Sequence, residues 1–161
     1  MISTFIAENF VLTRILLILG LALSVVVALV LARPGGRRRT VAAVIAGASG
    51  VLVLGLTFSP DVRGVQSQAV CNLAPYAFPF DVLNVALFLL PALFVVVALR
   101  RVVVVAVAVP LVSALIELVQ FLAPALGRRC DIDDWLANLI GGLLGVALGL
   151  IALRAGRRRT P

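Results

Sequence analysis

One carboxyl-bearing side chain, Glu117, lies inside an apolar segment that is long enough to cross a membrane. A carboxyl group within a bilayer costs several kcal/mol unless it is paired, protonated or faces a polar cavity. Ser113, four residues earlier, and Gln120, three residues later, share its helix face. The position of Glu117 therefore indicates a functional site, and the structural alternative is a hydrogen-bonded clasp between helices.

A second polar group directly precedes the last apolar segment: Asp131, Asp133 and Asp134. Acids at a helix N-terminus complement the helix dipole and cap free N–H groups, but three exceed what capping needs. Asn138 continues the face of Asp134 into the segment. The three carboxylates would suit Mg²⁺ or Ca²⁺ rather than zinc, yet Arg128 and Arg129 can neutralise them without an ion. We therefore predict no resident cofactor, with the three aspartates as the ligands if Mg²⁺ binds.

The composition predicts that the chain is a membrane protein. The chain is 63% hydrophobic with a mean hydropathy of +1.20, and it contains no histidine. The expected fold is all-α: a single transmembrane domain, residues 1–161, built as a bundle of about five helices. The predicted spans are residues 10–32, 41–58, 82–99, 102–123 and 135–153. Because only Arg100 and Arg101 separate the third and fourth spans, these two should form an antiparallel hairpin.

Charge is divided between the two ends of the predicted spans. All seven acidic residues fall at one end, and ten of the fourteen arginines fall at the other. The positive-inside rule then places the N-terminus outside and the C-terminus inside. Arginines in short loops between apolar spans are typical of topology signals and anionic-lipid contact, so we predict no nucleic-acid partner. The chain is therefore expected to cross its membrane several times.

Five polar residues are predicted to lie in the outer half of the bilayer: Asn84, Glu117, Gln120, Asp134 and Asn138. They can converge if the third, fourth and fifth spans pack together. A stripe of small residues in the last span favours this packing, because glycines let helices approach closely. The stripe is Gly141, Gly145 and Gly149, with Gly142 beside it.

The only two cysteines of the chain, Cys71 and Cys130, lie in predicted outer loops. An oxidising exterior favours their pairing, so we predict a disulfide that links the two loops. Two unrelated thiols are the alternative. Without a histidine, no serine or cysteine nucleophile can form a conventional triad.

The residues around Glu117 and the aspartates resemble the motif of the VanZ-like family. The pattern is Glu117-x-x-Gln120, then arginine at 128 or 129, then Asp131-x-Asp133-Asp134-x-x-x-Asn138-x-x-Gly141-Gly142. An upstream piece, Pro79-Phe80 followed by Asn84 and Phe88, is also similar. The resemblance covers roughly residues 55–150. It implies that the ligand-binding residues are Asn84, Glu117, Gln120, Arg128, Arg129, Asp131, Asp133, Asp134 and Asn138.

The founding member of the VanZ-like family confers low-level resistance to teicoplanin, a lipid-bearing glycopeptide. The resemblance therefore favours a multi-pass protein of the bacterial cytoplasmic membrane, part of the cell envelope. It would bind an amphiphile at the outer leaflet without catalysing a reaction. The partner would be a lipidated glycopeptide or a lipid-linked cell-wall precursor, with Arg128 and Arg129 on its phosphate or carboxylate groups.

Two other functions remain open from the sequence. One is a Mg²⁺-dependent membrane enzyme that acts on a polyprenyl-linked substrate, with Glu117 as general base and Asp131 and Asp133 on the metal. The other is a scaffold in which the polar residues only clasp the helices together. In the scaffold, Glu117→Gln should be nearly silent.

Overall fold

The computed structural model describes residues 9–60, 71–74, 82–127 and 130–158. Within these ranges, five helices are long and apolar enough to cross a membrane, which confirms the predicted all-α, multi-pass fold. The side of the membrane that each terminus faces stays a prediction. In chain order the helices are α1 (Phe10–Leu31), α2 (Gly36–Thr57), α3 (Val82–Leu99), α4 (Val102–Leu122) and α5 (Ile132–Arg158).

Two short strands, β1 (Cys71–Asn72) and β2 (Cys130–Asp131), pair in parallel next to the start of α5. Cys71 lies opposite Cys130 in this pair, and the two residues form a disulfide. The predicted link between the loops is therefore confirmed. A single 3-10 turn, Pro124–Leu126, follows α4 and leads the chain towards β2.

Two helices extend beyond the predicted spans. α2 begins at Gly36 rather than at 41, and α5 runs from Ile132 to Arg158 rather than over 135–153. Hydropathy marks the part of a helix that suits the bilayer, whereas backbone hydrogen bonds continue through polar residues at its ends. Pro34 and Gly35 set the start of α2, since Gly35 has a φ of 146°, which side-chain-bearing residues rarely adopt.

Helix α5 is the centre of the bundle, and its most extensive interface is with α3. A methyl group on Gly141 would overlap the backbone carbonyl of Val85, and one on Gly145 would overlap that of Leu89. The glycine face of α5 therefore lies directly against the backbone of α3, as small residues allow in membrane helices.

Only Arg100 and Arg101 connect α3 to α4, as the sequence requires, but the two helices make few contacts with each other. α4 packs instead on α5, where Val109 occupies the space above Gly142. Between α2, α3 and α4 an apolar cavity of about 290 Å³ remains, with Phe88 and Pro91 on its wall. A two-residue turn fixes the direction of two helices but not their contact, which side-chain size decides.

The arginine-rich end of the bundle comprises the C-terminal ends of α1, α3 and α5, the first turn of α2 and the residue before α4. Its basic residues are Arg33, Arg37, Arg38, Arg39, Arg100, Arg101, Arg154, Arg157 and Arg158. Arg39 Nε donates to the carbonyl of Ala98 at 2.7 Å. Arg100 Nη2 donates to the carbonyl of Ala32 at 3.2 Å. Because the last carbonyls of a helix lack intrahelical partners, these guanidinium groups cap α3 and α1.

Candidate functional site

A cavity of about 440 Å³, called the polar cavity below, lies at the opposite end of the bundle. Leucines, an isoleucine and an alanine from α1 to α4 form most of its wall. Its polar side chains come from four elements: Thr57 of α2, Asn84 of α3, Glu117 and Gln120 of α4, and Asp134 and Asn138 of α5. The five polar residues predicted to converge are thus brought together around one space.

Helix α4 places Glu117 and Gln120 on its buried face. The helical spacing aligns them with Ser113, and only 7% of Glu117 and 6% of Gln120 are exposed. Glu117 Oε2 accepts a hydrogen bond of 2.8 Å from the backbone N–H of Asp131 in β2. One oxygen of the carboxyl group is therefore fixed by the loop that precedes α5.

Asp134 lies in the first turn of α5, where a carboxylate complements the dipole of the helix. The side-chain amide of Asn84 donates to Asp134 Oδ1, which joins α3 to α5 across the polar cavity. The side-chain amide of Gln120 reaches the carbonyl of Thr57, the last residue of α2, at 3.5 Å. These contacts hold the polar ends of four helices around the same space.

Asn138 is one turn deeper than Asp134 and is 5% exposed. Its Oδ1 is buried and has no hydrogen-bond partner among the residues that the structure describes. The same holds for the hydroxyl of Ser113, which is fully buried on α4. A buried acceptor without a partner is costly, so native proteins rarely leave one. Asn138 lines the polar cavity, whereas Ser113 does not.

The other two aspartates of the predicted site have different surroundings. Asp131 Oδ2 accepts from the Asn72 side chain at 3.2 Å, and its Oδ1 accepts from the backbone of Asp133 at 2.9 Å. Asp133 lines neither the polar cavity nor the groove described next. No group of three acidic, histidine or cysteine residues that could hold a metal occurs within the described ranges. Arg128 and Arg129 lie outside those ranges.

A second space, called the apolar groove, has a volume of about 440 Å³ and lies on the other side of Glu117. Its walls are almost entirely apolar and include Phe121 of α4 and Trp135 of α5. The disulfide of Cys71 and Cys130 borders it. Glu117 therefore lies between a polar and an apolar space and contributes to the lining of both.

The sequence reasoning missed Thr57, Asn72 and the apolar groove. Thr57 is an ordinary last residue of an apolar span, and only the packing of α2 brings it to the polar cavity. Asn72 had a signal, since it directly follows a cysteine that pairs next to Asp131. The groove depends on how the loop covers α4 and α5, which no spacing in the sequence indicates.

The fold and the site define a multi-pass membrane protein with a polar cavity near one end of its helices. The family model described as VanZ/LLP1 matches residues 21–153, which is most of the chain. The chain therefore belongs to the VanZ-like family. No curated protein and no solved structure matches it.

Proposed function

We propose that this VanZ-like protein binds the polar headgroup of an amphiphile in the polar cavity. The amphiphile is a lipidated glycopeptide or a lipid-linked cell-wall precursor, and the protein acts in the bacterial cytoplasmic membrane without catalysing a reaction. One observation carries the proposal: six polar side chains line a space of about 440 Å³ among helices suited to hydrocarbon. Such a space fits a headgroup while the attached chain stays in the lipid.

The hydrogen bonds of the polar groups around the cavity also support binding, because they do not account for every polar atom that the structure describes there. If the polar residues served only to join helices, each buried polar atom should find its partner within the protein. Asn84 and Asp134 meet this expectation, but Asn138 Oδ1 has no partner among the residues that the structure describes. A pure clasp therefore leaves one polar atom of a side chain that lines the cavity without a described partner.

The proposal is tested by antibiotic susceptibility. A susceptible host expressing wild type or Asp134→Asn at matched membrane levels is challenged with teicoplanin and with vancomycin, which lacks the lipid chain. We expect selective protection from teicoplanin by wild type and its loss in Asp134→Asn. Equal protection by both proteins would overturn the role of the cavity. Protection by neither would shift the proposal from the drug to a lipid-linked precursor of the envelope.

A structural clasp is the second candidate function, and two hydrogen bonds favour it. Asn84 to Asp134 links α3 with α5, and the backbone of Asp131 to Glu117 links β2 with α4. The Glu117→Gln variant separates the two functions, because glutamine still accepts a hydrogen bond but carries no charge. A clasp predicts unchanged stability and unchanged protection, whereas headgroup binding predicts unchanged stability with weaker protection.

A further inference from the structure

An exposed apolar stripe near the C-terminal end of α1 leads to an arginine. Val26, Leu29 and Val30 share one face of the helix, because their spacing is that of neighbouring turns. Their side chains are between 36% and 57% exposed. Arg33 follows two residues beyond the end of the helix. At 1.5 Å per residue, about 10 Å of apolar surface therefore separates the start of the stripe from the arginine.

This stripe forms one wall of a groove between α1 and α5, called the α1–α5 groove below. The groove has a volume of about 190 Å³, and its other wall is Ala155 and Gly156 near the end of α5. A methyl group on Gly156 would lie 2.8 Å from the carbonyl oxygen of Ala32, so the two helices are in close contact here. Arg33 is the only polar residue among the lining residues that the structure describes. The groove thus combines apolar walls with one guanidinium group.

The surroundings of Arg33 carry positive charge without acidic partners. The stretches that form the arginine-rich end, residues 21–57, 90–111 and 141–158, contain no acidic residue. Arg39 and Arg100 donate to backbone carbonyls, whereas the described part of the chain offers the Arg33 side chain no hydrogen bond or ion pair. A guanidinium group forms its strongest hydrogen bonds with anions. A negatively charged group is therefore the partner that this groove favours.

We propose that the α1–α5 groove binds an anionic phospholipid. The phosphate accepts hydrogen bonds from Arg33, whose planar fork of N–H donors matches phosphate oxygens. One acyl chain of the same lipid lies along Val26, Leu29 and Val30. Basic pockets between membrane helices bind anionic headgroups by the same combination of charge and apolar contact. A zwitterionic lipid fits less well, because its ammonium group would approach an end already rich in arginine.

This site does not depend on the proposed function, because the polar cavity lies at the other end of the bundle. The test uses the full-length protein in dodecyl maltoside, with bound lipid measured by native mass spectrometry. The probes are dioleoylphosphatidylglycerol, dioleoylphosphatidylcholine, dioleoylglycerol and glycerol phosphate, which separate net charge, phosphate and acyl chain. We expect phosphatidylglycerol to bind about five- to tenfold more tightly than phosphatidylcholine, and dioleoylglycerol and glycerol phosphate to bind more weakly than either.

Two pairs of variants locate the site. Arg33→Gln should remove the preference for phosphatidylglycerol, whereas Arg158→Gln, which removes the same charge outside the groove, should retain it. Leu29→Ala should lower the affinity for phosphatidylglycerol about threefold, because it shortens the apolar wall. Leu19→Ala is its control, since Leu19 is exposed on α1 but does not line the groove. The leucine pair tests the site even if Arg33→Gln fails to fold.

Four results would overturn the inference. Equal affinity of the wild type for phosphatidylglycerol and phosphatidylcholine would mean that net charge is not recognised. An equal loss in Arg33→Gln and Arg158→Gln would mean that only the total charge of this end attracts lipid. Displacement of phosphatidylglycerol by an equal concentration of glycerol phosphate would indicate a site for free anions. Equal affinities of Leu29→Ala and Leu19→Ala would mean that no acyl chain lies in the groove.

Discussion

The two ends of the bundle use polar side chains in opposite ways. At the arginine-rich end, Arg39 and Arg100 donate side-chain hydrogen bonds to the last backbone carbonyls of neighbouring helices. At the cavity end, Asn84 donates to Asp134, and the Asn138 oxygen has no hydrogen-bond partner in the described part of the chain. The first end satisfies groups that every helix leaves open, whereas the second gathers polar groups that no helix requires. The difference assigns helix capping to the arginine-rich end and, under the proposed function, ligand recognition to the cavity end.

The largest expected effect concerns the disulfide at the cavity end. Replacing Cys71 and Cys130 by serine opens a loop of 59 residues, which by loop-closure entropy lowers the free energy of unfolding by about 4 kcal/mol. Asp131 adjoins Cys130, so its hydrogen bond to Glu117 should loosen as well. Thermal unfolding in detergent measures the first effect. Amide exchange of β2 and of the first turn of α5 measures the second.

The comparison of the two ends requires that this loosening be local. Amide exchange in the last turns of α5, near Gly156 and Arg157, should be unchanged in the double serine variant. The same variant serves as the control for reductant, which should alter wild type but not the variant. Equal exchange increases at both ends would contradict the division of roles, because the bundle would then behave as one unit.

The next effect in size concerns the contact of α5 with α3. Gly141→Ala places a methyl group against the carbonyl of Val85, and we expect a loss of about 1–3 kcal/mol in the free energy of unfolding. Gly47→Ala on α2 is the matched control, because nothing lies within 4 Å of the added methyl group. Unfolding in detergent at increasing denaturant compares the two variants. Because alanine favours a helix more than glycine does, Gly47→Ala should keep or raise the free energy of unfolding. An equal change in both variants would show that close packing does not set Gly141 apart.

Much of this architecture could be predicted from the sequence because hydropathy and charge are local signals. The five spans follow from apolar length, and the meeting of Asn84, Glu117 and Asp134 follows from depth and the glycine stripe. The separation of Asp131 from Asp134 could not be predicted, because β2 ends between them and directs Asp131 towards Asn72. Adjacent residues of one motif therefore differ in role where the backbone changes from strand to helix.

The smallest effects come from single side chains, and they test the comparison most directly. Arg39→Gln removes a charge-assisted hydrogen bond that an exposed side chain donates to the carbonyl of Ala98, so we expect a loss of about 0.5–1 kcal/mol in the free energy of unfolding. Because Arg39 lies at the other end of the bundle from the polar cavity, amphiphile binding at matched folded levels should equal that of wild type. Asp134→Asn should behave in the opposite way, with weaker binding and a smaller change in unfolding. Amphiphile affinity and the free energy of unfolding are measured for both variants. If Arg39→Gln weakens binding as much as Asp134→Asn does, the two ends of the bundle are coupled through α5.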